Sequence, residues 1–129
     1  MKKRLKDLLG EVAAQVKTYE VDEVKNLLGR DKTVFIDVRD EPELRNDGKL
    51  PGAIHASRGM LEFYIDAESP YHKDVFDQDK QFVFYCKSGG RSALAAQRAK
   101  EMGIQRVASM NGGFKAWTEH GGQVETVGK

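Results

Sequence analysis

The hydrophobic positions of the chain alternate between helical spacing and short continuous runs. Near the beginning, apolar residues recur every three or four positions opposite a basic polar side, which predicts an amphipathic helix. Most such helices bury their apolar stripe locally, so we expect residues 1–17 to pack on a domain formed by residues 18–129. Docking or dimerisation through this stripe, or weak membrane anchoring, are the alternatives. The stripe consists of Leu5, Leu8, Leu9, Val12, Ala13 and Val16.

Two continuous apolar runs, at residues 33–38 and 81–85, predict buried strands. Runs of this kind are typical of a parallel sheet that is covered by helices on both faces. A third strand, short and at the edge of the sheet, is predicted at residues 106–108. Helical patterns lie between and after the strands, so the sequence predicts an α/β fold. The predicted helices cover residues 21–28, 92–102 and 113–120.

Length, charge and cysteine usage restrict the functional classes. A chain of 129 residues, 40% of them hydrophobic, suffices for one core. Its 21 basic and 20 acidic residues nearly cancel, so we expect no nucleic-acid partner and no anionic membrane surface. One cysteine cannot form an intramolecular disulfide, and we find neither a signal-peptide pattern nor an apolar run of about 20 residues. We therefore expect a cytoplasmic, reducing location.

The chemically informative segment begins where the second apolar strand ends. Cys86 stands at the predicted carboxyl end of this strand, the edge at which open α/β sheets form ligand sites. Gly89 and Gly90 follow it, and a helix is predicted after them. Glycines let successive backbone N–H groups curve around an anion, and a helix start supplies further free N–H groups. The segment therefore predicts an anion-binding loop around a reactive thiolate.

Neighbouring side chains favour the same interpretation. Lys87 and Arg91 add positive charge, which lowers the pKa of a nearby thiol. Ser92 lies where it can cap the helix or donate a hydrogen bond to the site. The alternative is that Cys86 is a buried, inert side chain, which is the commoner fate of a lone cysteine after an apolar strand. An inert cysteine needs neither the glycines nor the flanking cations.

The chain resembles the rhodanese-like sulfurtransferases over residues 18–126, through four segments in the expected order. The resemblance implies a rhodanese-like α/β fold, with a mainly parallel sheet of about five strands and helices on both faces. No single segment is decisive, but the ordered set is specific. The segments are FIDVR with EPE (35–39 and 41–43), GKLPGA (48–53), CKSGGR (86–91) and NGGFKAW (111–117).

This resemblance implies a covalent sulfur transfer at Cys86. The cysteine would accept a sulfane sulfur from a small donor such as thiosulfate, become a persulfide, and pass the sulfur to cyanide, a thiol or a protein acceptor. The backbone N–H groups of residues 87–92 would surround the outer sulfur. The residues expected to bind substrate or persulfide are Lys87, Ser88, Gly89, Gly90, Arg91, Ser92 and, on weaker grounds, Arg58.

Two other functional classes stay open. The phosphatase and arsenate reductase branch of the same family has a longer loop, with five residues between cysteine and arginine. Here four residues separate Cys86 from Arg91, and Tyr85 precedes the cysteine instead of the histidine typical of tyrosine phosphatases. The second class is a non-catalytic module that binds partners or relays sulfur. An intact cysteine loop argues against a fully inactive version.

Supporting roles are assigned to two residues of the first strand segment. Asp37 is expected near the active edge, where its carboxylate can bind loop N–H groups or pair with Arg39. Arg39 is expected to form an ion pair with Glu41 or Glu43 that fixes the fold. Arg58 is expected near the pocket, where it can steer an anionic donor or simply lie in solvent.

The remaining motifs predict no cofactor and no metal. His55, His72 and His120 lack the spacing of metal ligands, and a single cysteine cannot build a structural zinc site. In the motif NGGFKAW, the glycines are expected to allow a tight helix entry and Trp117 to lie in the core. The sequence leaves open whether the protein is a monomer or a homodimer.

Overall fold

The computed structural model describes residues 2–128, which form one parallel sheet with helices on both of its faces. The strands are β1 (Lys17–Tyr19), β2 (Thr33–Asp37), β3 (Ile54–His55), β4 (Gln81–Tyr85) and β5 (Val107–Met110). The helices are α1 (Leu5–Gln15), α2 (Val21–Leu27), α3 (Glu41–Asp47), α4 (Leu61–Ile65), α5 (Gly90–Glu101) and α6 (Gly113–Glu119). Short 3₁₀ turns occur at Arg58–Met60 and Asp74–Asp77.

The strand order β1-β5-β4-β2-β3, with every neighbouring pair parallel, confirms the predicted fold class and number of strands. The prediction of an edge strand at residues 106–108 is wrong. β5 lies inside the sheet between β4 and β1, and it continues to Met110. Its outer neighbour β1 contains only Lys17, Thr18 and Tyr19, a mixed tripeptide that gives no continuous apolar signal.

Alternate residues of the central strand point to two separate cores. Phe82 and Phe84 of β4 face α1, α4 and α5, whose buried residues include Val12, Leu61 and Ala95. On the opposite face, Val83 and Tyr85 belong to a second cluster, to which α2 and α6 contribute Val24 and Trp117. Trp117 is 1% exposed, which confirms the expectation that it is a core aromatic. Both faces of the sheet are covered by helices, so a ligand is expected to bind at the carboxyl ends of the strands.

The amphipathic helix α1 packs against α5. Val12 and Val16 are buried in the first core cluster, and the ammonium group of Lys100 donates a hydrogen bond to the carbonyl oxygen of Gln15. Leu5, at the beginning of the stripe, is 61% exposed. The inner part of the stripe is therefore used within the fold.

Within residues 2–128, no helix combines the length and the hydrophobicity needed to cross a membrane.

Candidate active site

Cys86 immediately follows β4 and is 1% exposed. Its position at the carboxyl end of a central strand is the one predicted. The chain then makes a short loop and enters α5 at Gly90, with Gly89 as the N-cap residue at φ 116°. This backbone angle favours glycine, because a Cβ there would be strained. The sharp turn brings the first N–H groups of α5, which have no partner within the helix, close to the cysteine.

The sulfur of Cys86 has hydrogen-bond partners in the loop and in the first turn of α5. The N–H of Gly89 donates to Sγ at 3.1 Å, and the hydroxyl oxygen of Ser92 lies 3.6 Å from the same atom. Burial raises the pKa of the thiol, but the hydroxyl of Ser92 and the backbone N–H groups of Ser92, Gly89 and Ser88 outweigh it. The pKa of Cys86 is therefore below its ordinary value.

Ser92 lies in the first turn of α5 and is fully buried. Its hydroxyl donates to the carbonyl oxygen of Gly89 at 3.1 Å, and its oxygen lies 2.9 Å from the hydroxyl oxygen of Ser109 on β5. The sequence placed Ser92 at the site but gave no signal for Ser109. A serine in a strand has no motif, and its approach to the loop depends on how β5 and α5 pack together.

The two cations beside the cysteine have different environments. Lys87 is exposed, whereas Arg91 donates two hydrogen bonds to the carboxylate of Glu43, at 2.8 and 3.0 Å. This pair raises the pKa of Arg91, and the guanidinium holds the pKa of Glu43 at about 2. The expected pairing of Arg39 with Glu41 or Glu43 is wrong, since Glu43 is taken by Arg91. The negative charge of Glu43 therefore offsets much of the electrostatic effect of Arg91 on the sulfur.

Arg39 instead pairs with Asp37, one of the two roles expected for that carboxylate. The guanidinium donates to Asp37 at 2.8 and 3.0 Å, and both side chains are almost completely buried. It also donates to the carbonyl oxygen of Gly48 at 2.6 Å and lies over the ring of Phe114, 4.3 Å from its centroid. The pair therefore connects the end of β2 with the end of α3 and with α6.

The beginning of α6 holds the cysteine loop from below. The N–H of Phe114 donates to the carbonyl oxygen of Cys86 at 2.7 Å, and the N–H of Lys115 donates to that of Lys87 at 2.9 Å. Gly113 has φ 60°, and a Cβ built on it would come within 2.5 Å of the Cys86 carbonyl oxygen. The tight helix entry predicted from the glycine pair is confirmed, and its purpose is close contact with this loop.

Arg58 has its backbone at the active edge but its side chain in an ion pair. Its N–H donates to the carbonyl oxygen of Val38, just after β2, and its guanidinium binds Glu62 at 3.1 Å. Together with Leu94 and Arg98 of α5 it lines a separate surface pocket of about 320 Å³. Of the predicted binding residues, the structure brings Ser88, Gly89 and Ser92 to the Cys86 sulfur. The side chains of Lys87, Arg91 and Arg58 point to solvent or to carboxylates instead.

One group with the ligand types of a cation site occurs among the described residues, away from Cys86. The Nε2 atom of His72 lies 2.7 Å from a carboxylate oxygen of Asp77 and 3.8 Å from one of Asp74. The hydrogen bond to Asp77 raises the pKa of His72, which is the behaviour of an ion pair. Both aspartates are exposed, and such groups are common without a metal.

Comparison with known proteins identifies a family. The profile of the Rhodanese-like domain matches residues 20–120. The chain is 30% identical over 104 residues to YtwF of Bacillus subtilis, whose name assigns it provisionally to the sulfurtransferases. This alignment covers 80% of the chain and 91% of the relative. The family match therefore includes the whole cysteine loop.

Two solved structures extend the comparison. A Rhodopseudomonas palustris protein of unknown function, described as a possible tyrosine phosphatase, superposes with a TM-score of 0.94 and 44% identity. The superposition covers 97% of this chain and 96% of the Rhodopseudomonas palustris protein. The human single-domain sulfurtransferase TSTD1 superposes with a TM-score of 0.69 and 25% identity, covering 81% of this chain and 96% of its own.

Proposed function

We propose, because the chain belongs to the rhodanese-like domain family, that it moves a sulfane sulfur from thiosulfate or a persulfide donor to a thiophilic acceptor. Cys86 is the nucleophile in this proposal. The sulfurtransferase relatives support this class of reaction. The observation that carries it is the set of hydrogen-bond partners around a buried sulfur, with the Gly89 N–H at 3.1 Å and the Ser92 hydroxyl oxygen at 3.6 Å.

The reaction divides into two balanced displacements. In the first, the thiolate of Cys86 attacks the outer sulfur of thiosulfate, the S–S bond of the donor breaks, and sulfite leaves with the bonding electron pair. The product is a persulfide anion on Cys86. In the second, cyanide or a thiolate attacks the outer sulfur of the persulfide, and the original cysteine thiolate leaves. Neither step needs an oxidant, a reductant or a metal ion.

The loop serves both displacements. Its N–H groups favour the thiolate that begins the first step, and the same groups can bind the anionic outer sulfur of the persulfide. The residues proposed for this binding are those of the loop and the first turn of α5, that is Lys87, Ser88, Gly89, Gly90, Arg91 and Ser92. Asp37 and Arg39 support the loop from below. For Arg58 we propose only that the positive charge of its partly exposed guanidinium steers anionic donors toward the site.

Phosphate ester hydrolysis is the second candidate, because the Rhodopseudomonas palustris relative is described as a possible tyrosine phosphatase. Two features disfavour it here. Four residues, not five, separate Cys86 from Arg91. In addition, Arg91 gives its paired N–H groups to Glu43, so they are engaged before a phosphate could bind them in the bidentate manner that arginine favours. A non-catalytic binding or sulfur-relay module is the third candidate.

The physiological setting follows from the same chemistry. We propose residues 18–129 as the sulfurtransferase domain and residues 1–17 as an appended helix packed onto it, acting in the cytoplasm, where the single thiol stays reduced. The acceptor is a small thiol or a protein thiol, and the protein acts as a monomer or a homodimer. Nucleic acid and membrane have no part in the proposed reaction.

The decisive experiment measures the intact mass of the protein after incubation with thiosulfate, with Cys86→Ser as the matched control. We expect a gain of about 32 Da, one sulfur atom, that requires Cys86 and is lost on addition of cyanide. If neither thiosulfate nor an organic persulfide adds sulfur, the binding-module interpretation replaces the proposal. Turnover of p-nitrophenyl phosphate that disappears in Cys86→Ser would favour the phosphatase instead.

A further inference from the structure

Two buried hydroxyl groups form a chain that ends at the sulfur of Cys86. Ser109 on β5 is 4% exposed, and its hydroxyl oxygen lies 2.9 Å from that of Ser92, which is 0% exposed. The Ser92 oxygen in turn lies 3.6 Å from Sγ. A sulfur–oxygen contact of this length suits a hydrogen bond, because sulfur is a large atom. The chain of contacts runs across the packing interface between β5 and α5.

Ser109 is a polar residue in an otherwise apolar strand. Its neighbours in the strand, Ala108 and Met110, are fully buried, and its register partner on β4 is Phe84, which lies in the core. Burying a hydroxyl without a hydrogen bond costs free energy. Among residues 2–128, the one side-chain or backbone partner of the Ser109 hydroxyl is Ser92. Within the described part of the chain, the one hydrogen bond of this buried hydroxyl therefore leads toward the cysteine.

The contact between Ser109 and Ser92 affects where the single hydroxyl proton of Ser92 can go. Ser92 has a single hydroxyl proton and three nearby acceptors, which are the Gly89 carbonyl oxygen, the sulfur of Cys86 and the oxygen of Ser109. If Ser109 donates to Ser92, the proton of Ser92 cannot be used toward Ser109. In this structure that proton goes to the Gly89 carbonyl oxygen, and it can turn to the sulfur once the thiol has lost its own proton. A hydrogen bond donated by Ser109 makes Ser92 a stronger donor in its turn.

We propose that Ser109 is a positioning residue, which donates to the Ser92 hydroxyl oxygen and thereby strengthens the hydrogen bond that Ser92 donates to the thiolate and persulfide of Cys86. The inference rests on the proposed function for its catalytic meaning. Its structural content, the orientation of one hydroxyl proton, is independent of which substrate the enzyme uses.

The charged groups near the cysteine loop have partners other than Ser109, or lie in solvent. Arg91 of α5 is held by Glu43 of α3, and Asp37 is paired with Arg39. Lys87 is exposed. None of these side chains has a hydrogen bond to Ser109, so a change in the proton affinity of Cys86 on substitution of Ser109 would report the hydroxyl chain.

Thr18 supplies a matched control. It is the register partner of Ser109 on the adjoining strand β1, and both residues line the same surface pocket of about 230 Å³. Thr18 is exposed, and its hydroxyl has no hydrogen-bond partner among the described residues. Valine has nearly the same volume as threonine. Thr18→Val therefore removes a neighbouring hydroxyl and leaves the hydrogen bonds from Ser109 through Ser92 to Cys86 unchanged.

The test is the rate of Cys86 alkylation by iodoacetamide as a function of pH, in the full-length protein. We expect Ser109→Ala to raise the apparent pKa of Cys86 and to slow alkylation below that pKa by about threefold to tenfold, the value of one hydrogen bond. Ser109→Thr, which keeps a hydroxyl, should restore the original profile. Thr18→Val should leave it unchanged.

A double-variant cycle separates positioning from general damage. Because Ser109 acts through Ser92, adding Ser109→Ala to Ser92→Ala should give no further shift in the alkylation profile. An unchanged profile in Ser109→Ala alone, or an additive shift in the double variant, would overturn the proposal. The two proposals can fail separately. If Ser109→Ala shifts the alkylation profile alone but not in the Ser92→Ala background, the positioning role is supported. If the same protein gains no sulfur from any donor, the proposed function is contradicted.

Discussion

Arg91 binds both carboxylate oxygens of Glu43, at 2.8 and 3.0 Å, although the two residues stand 48 positions apart in the sequence. The contact ties the first turn of α5 to α3, while α6 holds the Cys86 and Lys87 carbonyl groups from another side. The cysteine loop is thus fixed through its two ends. Arg91, although it is a cation of the cysteine loop, therefore serves mainly to hold this geometry.

The Glu43–Arg91 pair makes stability depend on pH in the acid range. The pKa of Glu43 is lowered to about 2 by Arg91, so the pair contributes stability above the ordinary carboxyl pKa of 4.5 and loses it as the pH falls through about 2. We expect Glu43→Gln to lower the free energy of unfolding by roughly 1 kcal/mol at neutral pH, since the pair is partly exposed. Urea denaturation at several pH values measures this difference, which should shrink between pH 4.5 and 2.

Glu41→Gln is the control for that prediction. Glu41 pairs with Arg45 on the surface of the same helix, and both side chains are about half exposed. Exposed pairs of this kind contribute little, so we expect a change of at most a few tenths of a kcal/mol. Equal losses in Glu41→Gln and Glu43→Gln would show that the contact with Arg91 has no special weight.

Ser92→Ala should raise the pKa of Cys86 toward its ordinary value. The Ser92 hydroxyl is the largest of the contributions that lower this pKa, so removing it leaves burial opposed only by backbone N–H groups. The alkylation rate below neutral pH should fall by about tenfold. Ser88→Ala is the control, because it keeps the backbone N–H that faces the sulfur and removes only an exposed side chain. A larger effect of Ser88→Ala would contradict this account.

Gly113→Ala should impair the site as well as destabilise the fold. The added Cβ would lie 2.5 Å from the Cys86 carbonyl oxygen and 2.6 Å from the Lys87 carbonyl carbon, so the loop would have to move. We expect at least about a tenfold loss of sulfur transfer, measured as thiocyanate formed from thiosulfate and cyanide, together with roughly 1–3 kcal/mol of stability.

Gly121→Ala separates the two effects at Gly113. Gly121 has φ 74°, similar to the 60° of Gly113, but nothing lies within 4 Å of a Cβ built there. It should therefore lose about 1 kcal/mol from backbone strain and keep its activity. Equal losses of activity in both alanine variants would show that contact with the loop is unimportant.

The buried Asp37–Arg39 pair should be costly to break from one side. Arg39→Met leaves the carboxylate of Asp37 at 0% exposure without its partner, which should lower the free energy of unfolding by about 3–5 kcal/mol. Asp37→Asn combined with Arg39→Met removes the unpaired charge and should recover part of that loss. Thermal and urea denaturation of the three proteins measures both changes. A double variant less stable than Arg39→Met alone would contradict this explanation.

The sequence predicted the features that depend on local pattern. Continuous apolar runs located β2 and β4 almost to the residue, because strands covered on both faces need hydrophobic side chains on both. The segment from Cys86 to Ser92 predicted the loop and helix start, since glycines and a strand end have direct backbone consequences. By contrast β1, only three residues long and of mixed polarity, gave no signal, and so β5 was assigned to the edge.

What only the tertiary structure decided were the partners of polar groups. An ion pair can form between any charges that the fold brings together, so the sequence could not show that Glu43 binds Arg91 and Arg39 binds Asp37. Nor could it show that Ser109 reaches Ser92. The sequence by itself determined where the thiol lies and which backbone groups surround it, because those follow from neighbours in the chain. Long-range packing determined which side chains orient it, because hydrogen bonds and ion pairs depend on distance in space.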